Sequence, residues 1–307
     1  MQVAVIAHSG KSMGGGLAEL RTVLAEFGVH DPMWTEVDRS RKAPKRVRKA
    51  LKAGVDLVIA WGGDGMVQRC VDVLAGTGVP LAILPAGTAN LLATNLAIPN
   101  DIGEAVKVAL HGVHQQIDVG TMNGECFVVM GGAGFDGMMI SDVDGNAKER
   151  FGRVAYVRSS VKAMSAPRTR TKIRVDGASW FDGEASCVLV GNVGTVIGGL
   201  DVFDAASPTD GLLDVGVVSA EGRLQWLRVL GRVAARSSVD KSSFVQTTKA
   251  RKIDVRFAHE LRYEIDGGAR TKAKTLKVRV RPGALTVCVP QAVVASGALD
   301  SVKDARP

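Results

Sequence analysis

Residues 57–94 pass twice through the same succession of textures: a short apolar run, a glycine-bearing turn, then apolar positions at helical spacing. Residues 57–61 are uninterruptedly apolar and break into Gly62, Gly63, Asp64 and Gly65, the pattern of a central parallel strand entering a turn. Met66, Val67, Cys70, Val71, Val73 and Leu74 then recur close to a helical period, predicting a helix over 66–74. Residues 80–84 predict the next strand, 85–90 a turn, and Leu91 onward a helix. Two such units in succession put both turns at one edge of one sheet, where open α/β sheets bind ligands. Upstream, 3–7 predicts a first strand, 17–27 a helix, and 30–36 a second strand ending at Thr35. Pro44 suits the first turn of a helix with Val47, Ala50 and Leu51 as its inner stripe, and 102–110 predicts one more helix.

From Ile117 the texture changes to short strands and turns, at 117–122, 125–130, 171–175, 185–190, 213–218, 252–257, 261–265 and 275–281. Asn123-Gly124 is a hairpin signal. Helical spacing returns at 148–162 and 224–239, and 284–289 predicts a last strand. The expected fold class is α/β: an N-terminal open parallel-sheet domain (1–117), an antiparallel β-rich, sandwich-like domain (118–283), and a return to the first domain followed by a tail (284–307).

Composition narrows the function classes. The 307 residues are 46% hydrophobic, enough for a packed core, yet no run of about 18 apolar residues escapes charges or breakers. The N-terminal stretch lacks the charged region and cleavage site of a signal peptide. Cys70, Cys126, Cys187 and Cys288 form no CxxC pair, so reduced, buried thiols in a cytoplasmic protein are expected. A net charge of +8 calls for anionic partners. Aromatics are 5% and do not interleave with the basic residues, which ranks membrane lipid above nucleic acid. The basic stretch from Arg39 to Lys52 is either a solvated helix face or an attraction to anionic lipid, and Lys277, Arg279 and Arg281 make one face of a late strand basic.

The two turns carry the candidate chemistry. Glycines at 62, 63 and 65 let the backbone approach a bulky anion and permit positive φ, while the following helix N-terminus offers amides. Asp64 is out of place beside phosphate unless a divalent cation lies between them. Gly87, Thr88 and Asn90 supply further amides and neutral side chains. Gly10-Lys11-Ser12 looks like the end of a P-loop, but the required earlier glycine is Val5. Glycines 132, 134 and 137 match a dinucleotide fingerprint without a βαβ unit around them, a weak signal.

The Gly62-Gly63-Asp64-Gly65 and Pro85-Ala86-Gly87-Thr88-Ala89-Asn90 segments resemble the GGDG and PAGTxN motifs of the diacylglycerol kinase-like lipid kinases. The resemblance covers nearly the whole chain. It implies ATP over the turns at Ser9, Gly10 and Lys11, at Gly62, Gly63, Asp64 and Gly65, and at Gly87, Thr88 and Asn90, with Thr35 a further nucleotide contact. It also implies a structural Mg²⁺ held by Asp210 and the carbonyls of Ser207 and Leu212. Asp64 would position Mg²⁺ on the phosphates, and Asp266 would accept or orient the proton of the acceptor hydroxyl. The implied reaction is ATP-dependent phosphorylation of a lipid hydroxyl, with diacylglycerol the foremost acceptor, in a cytoplasmic protein that associates peripherally with an anionic membrane. No nucleic-acid partner is expected, and a homodimer is compatible with the sequence.

Three positions depart from the family pattern: Met66 for a threonine, Arg69 for a glutamate, and Gly268 for the glutamate described as proton acceptor. They bear on catalytic competence rather than on the fold. Two rival readings remain: an NAD kinase-like enzyme, which shares GGDG and a β-rich second domain, and a homologue that binds nucleotide or lipid with little turnover.

Overall fold

In the computed structural model the described residues are 1–134, 168–196, 200–203, 205–222, 224–226, 229, 244–296 and 299. The predicted helix at 148–162, the glycine segment at 135–137, most of the helix at 224–239 and the tail after Ser296 lie outside them, apart from Leu299. The chain divides into two compact units. The first comprises Met1–Val119, Ser207–Gly211 and Arg281–Pro307; the second comprises Gly120–Ala206 and Leu212–Val280.

The first unit is built on parallel strands β1 (Val3–His8), β2 (Met33–Val37), β3 (Leu57–Gly62) and β4 (Leu81–Pro85), in the order β4-β3-β1-β2. β3 and β4 are buried along their whole length, which is why their sequences are continuous apolar runs. Helices α1 (Gly16–Glu26), α2 (Ala43–Lys52), α3 (Asp64–Leu74), α4 (Leu91–Asn95) and α5 (Ile102–His111) follow the strands in turn. On α3, Met66, Val67, Cys70, Val71 and Leu74 are buried, the stripe its spacing predicts.

Antiparallel strands dominate the second unit. They are β5 (Val113–Met122), which begins in the first unit, β6 (Glu125–Phe127), β7 (Met130–Ala133), β8 (Thr169–Val175), β9 (Ala178–Ala185), β10 (Cys187–Gly191), β11 (Thr195–Val196), β12 (Leu200–Asp201), β13 (Leu213–Val218), β14 (Val245–Ala250), β15 (Lys252–Ile265) and β16 (Gly268–Val289). The order β14-β13-β10-β7-β15-β16 surrounds a core that includes Phe127, Ile173, Val190, Val215, Val255 and Leu276, with β8 and β9 added beside β15. β9 and β14 were not expected from sequence. Pairs expected as separate strands, 252–257 with 261–265 and 275–281 with 284–289, are single strands: the ladder between β15 and β16 resumes after register shifts between Arg256 and Leu261 and between Arg262 and Glu264. The end of β16 pairs in parallel with β4 inside the first unit, Val287 opposite Leu81, and a short helix α6 (Gln291–Ala295) follows. All four cysteines are buried and outside any disulfide, and burial lifts the thiols of Cys70 and Cys288 to about 12, so these two are inert.

Candidate active site

β1 pairs with β2 on one side and β3 on the other, so the strand order reverses beside β1 at the carboxyl edge. Three turns converge on that edge. The turn after β1 is stitched to its neighbours. The Ser9 amide and hydroxyl both donate to the Val37 carbonyl (2.9 and 3.3 Å), and the Trp61 indole donates to the Lys11 carbonyl (3.1 Å). The Gly10 amide donates to His8 Nδ1 and the Lys11 amide to the His8 carbonyl, both at 3.1 Å. The amides of Ser9, Gly10 and Lys11, expected to meet a nucleotide, are thus engaged within the protein; the exposed Lys11 side chain is what this turn presents. Thr35 also departs from its expected place: it lies mid-strand opposite Ile6, and β2 runs on to Val37.

The other two turns lock together. Gly62, Gly63 and Gly65 do not have positive φ, contrary to the expectation from sequence. What excludes a side chain at Gly62, Gly63 and Gly87 is close approach. A Cβ on Gly87 would lie 2.3 Å from Gly63 Cα and 2.5 Å from Asn90 Oδ1, and one on Gly62 2.7 Å from Met66 Cβ. Asn90 adopts the left-handed conformation (φ 49°) and ties its own turn. Its Oδ1 accepts from the Gly87 amide at 2.9 Å, and its Nδ2 donates to the carbonyls of Pro85 (2.9 Å) and Gly87 (3.0 Å). The Asn90 side chain is therefore spent on shaping the turn.

Asp64 joins the two turns. It lies in the first turn of α3, where its charge complements the helix dipole. Its Oδ1 accepts from the Leu91 amide at 2.5 Å, at the start of α4. Burial raises its pKa above the ordinary carboxylate value, against the pull of its own amide and those of Leu91, Asn90 and Leu92. A carboxylate so placed gains from a cation, and one or two carboxylates plus phosphate oxygens is the set Mg²⁺ takes in nucleotide sites. Among the described residues nothing accepts from the amides of Gly65, Thr88 or Ala89; Thr88 is exposed and a Cβ at Gly65 would meet only Ser40 Oγ, 4.0 Å away. Donors and space for phosphate therefore lie beside a half-buried carboxylate. Met66 is buried in the core and does not obstruct this edge, and Arg69 pairs with Asp72 at 3.1 Å.

The loop expected to hold a structural metal lies against a carboxylate that the sequence reading passed over. Asp118, buried on β5, accepts from the amides of Gly211 (2.7 Å) and Gly283 (2.8 Å), and its own amide donates to the Pro208 carbonyl (2.6 Å). Burial, and then the nearby charge of Asp210, raise its pKa. Its one signal in the sequence is a charge between the apolar Ile117 and Val119. The Ser207 hydroxyl bonds Thr209 and the Leu299 carbonyl. Among the described residues no three His, Cys, Asp or Glu side chains gather as a metal site. A set of one aspartate and two carbonyls, as expected for Asp210, Ser207 and Leu212, is of another kind.

In the second unit Asp266 is buried, with positive φ (45°). Its Oδ1 accepts from the amides of Val129 and Met130 and its Oδ2 from that of Val128, each at 3.0 Å. A carboxylate engaged by three amides is an anchor for the chain at 128–130 before it is a proton acceptor. Beside it, Arg270 leans over Gly268: a Cβ there would lie 2.7 Å from Arg270 Nη1, and the guanidinium pairs with Glu125 at 2.9 Å.

The diacylglycerol kinase catalytic domain family matches residues 2–122, and the YegS C-terminal NAD kinase beta sandwich-like domain family matches 129–289. Proteins described as "Probable lipid kinase YegS" from Salmonella typhimurium and Salmonella paratyphi A are 28% identical over 283 residues, spanning 89% of this chain and 91% of theirs. The crystal structure of a candidate diacylglycerol kinase from Bacillus anthracis superposes with a TM-score of 0.80 at 25% identity, covering 95% of this chain and 96% of that one. An Archaeoglobus fulgidus NAD kinase in complex with ATP shares the fold more distantly, with a TM-score of 0.54 at 12% identity over 98% of this chain and all of that one. Two consecutive domain matches, in the order the fold displays, place the chain in the diacylglycerol kinase-like lipid kinases of the YegS type.

Proposed function

We propose that the protein transfers the γ-phosphoryl group of ATP to the hydroxyl of a membrane lipid, with diacylglycerol the acceptor to test first. The observation that carries this reading is the interlocked pair of turns, Gly63 against Gly87 and Asp64 against Leu91, at the carboxyl edge of the parallel sheet. Phosphoryl transfer of this kind depends on positioning and charge neutralisation more than on covalent participation by the protein. The amides of Gly65, Thr88 and Ala89 would receive phosphate oxygens, and Asp64 would hold Mg²⁺, which neutralises charge on the transferring group. Asp266 would act by fixing 128–130, with any share in orienting the acceptor hydroxyl secondary to that. The product, a lipid phosphate monoester, is of the class that phospholipid biosynthesis consumes.

Radiolabelled ATP offered with diacylglycerol, with a total lipid extract and with NAD, followed by mass analysis, tests the reading. Label in a lipid phosphate supports it. Label in NAD alone, or none despite nucleotide binding, overturns it.

A further inference from the structure

β8, β15 and β16 lie side by side. Their inward side chains, Ile173, Val255, Phe257, Leu276 and Val278, belong to the core. The outward ones are almost all cations. Arg170, Lys172 and Arg174 stand on β8; Lys252, Asp254 and Arg256 on β15; Thr275, Lys277 and Arg279 on β16. The register sets Lys172 directly opposite Arg256, and Lys252 directly opposite Arg279. Like charges so opposed destabilise a sheet.

Local acids neutralise only part of this face. Asp182 on β9 is shared by Arg170 (2.6 Å) and Lys172 (3.2 Å), and Asp254 is held by Arg279 at 2.8 Å. Among the described residues no carboxylate pairs with Arg256 or Lys277. Both line an open recess of about 600 Å³, whose uncharged polar groups include Ser179 and Thr275. Asp254 also stands opposite Arg174 and Lys277 in the register, yet the cations of this face outnumber its acids, and a face with that excess is matched to an external anion.

We propose that this face docks the protein on an anionic bilayer, its cations set against lipid phosphates. The choice of a bilayer rests on the lipid kinase reading, because such a substrate is met in a membrane. Single-stranded nucleic acid is the poorer fit, since its platforms stack bases on exposed aromatic rings. Here the exposed positions of β8, β15 and β16 are filled by Lys, Arg and small or acidic residues, with His259 the one exposed ring.

Co-sedimentation of the full chain with vesicles of phosphatidylcholine alone, and of phosphatidylcholine doped with phosphatidylglycerol, tests the proposal. Binding is expected only to the doped vesicles and should weaken as salt rises. Arg256→Ala with Lys277→Ala should lower that binding about 25-fold, about fivefold per charge, with no fall in melting temperature, since it relieves the repulsion of Lys172 by Arg256. Arg46→Ala with Lys49→Ala on α2 is the comparison. Parental vesicle binding by the sheet variant, or loss confined to the α2 variant, overturns the proposal. So does a sheet variant that loses affinity for an oligonucleotide while keeping its affinity for vesicles. Lipid phosphorylation by the parent with undiminished vesicle binding by the sheet variant removes the docking face alone. Vesicle binding lost in the variant of a parent that phosphorylates no lipid removes the kinase reading alone.

Discussion

Asp64 has two partners of different kinds: the amide of Leu91, which it holds at 2.5 Å, and the cation proposed here. The two roles separate on substitution. Asn keeps an oxygen that accepts from the Leu91 amide, so the cap on α4 survives and the melting temperature of Asp64→Asn should stay within about 3 °C of the parent. Turnover should be abolished, because the charge is gone; full activity would remove the metal role. The raised pKa gives a further test. The folded protein takes up a proton at Asp64 more readily than the unfolded chain does, so protons compete with the cation as pH falls. Titration calorimetry should show Mg–ATP affinity decreasing from neutral pH toward acid, and the dependence should flatten in Asp64→Asn. Asp266 yields the opposite signature. Asp266→Ala strands the amides of Val128, Val129 and Met130 and should destabilise the fold by about 3 kcal/mol in urea titration. A residue that only accepted a proton would leave stability intact.

At the scale of elements, the pair of turns behaves as one part. Gly87→Ala drives a methyl to within 2.3 Å of the Gly63 backbone, where nothing flexible can yield. Separation of the turns should lower stability by about 2 kcal/mol and weaken nucleotide binding in a thermal-shift series with Mg–ATP. The existence of these turns was legible, because glycine and asparagine between apolar runs is local grammar. Why the glycines are there was not. The expectation was positive φ, whereas the constraint is contact between Gly63 and Gly87, which no local pattern reports. Strand ends failed for a related reason. β15 runs on as one strand through Ala258, His259 and Glu260, where its ladder with β16 shifts register and resumes at Leu261, a stretch that in isolation reads as a break. Asp118 was missed because its partners Gly211 and Gly283 stand 93 and 165 residues away.

At the scale of the molecule, the change of texture near Ile117 announced two architectures, and the units divide between Val119 and Gly120. Not legible was that Ser207–Gly211, in the midst of the second unit's sequence, belongs to the first. The net charge of +8 was equally visible, but its arrangement as opposed cations across β8, β15 and β16 required the register. The first unit is thus assembled from three separated stretches of chain, and β4 receives its outer neighbour from the end of β16. Domains generally form in the order in which the ribosome releases them. Here that order is barred: while the nascent polypeptide is still short of Val287, the edge of β4 stands bare, and the carboxylate of Asp118 waits for Gly283. The amino-terminal stretch, first to be translated, is therefore completed last, and Met1–Val119 produced by itself should remain open to proteolysis that the whole chain resists.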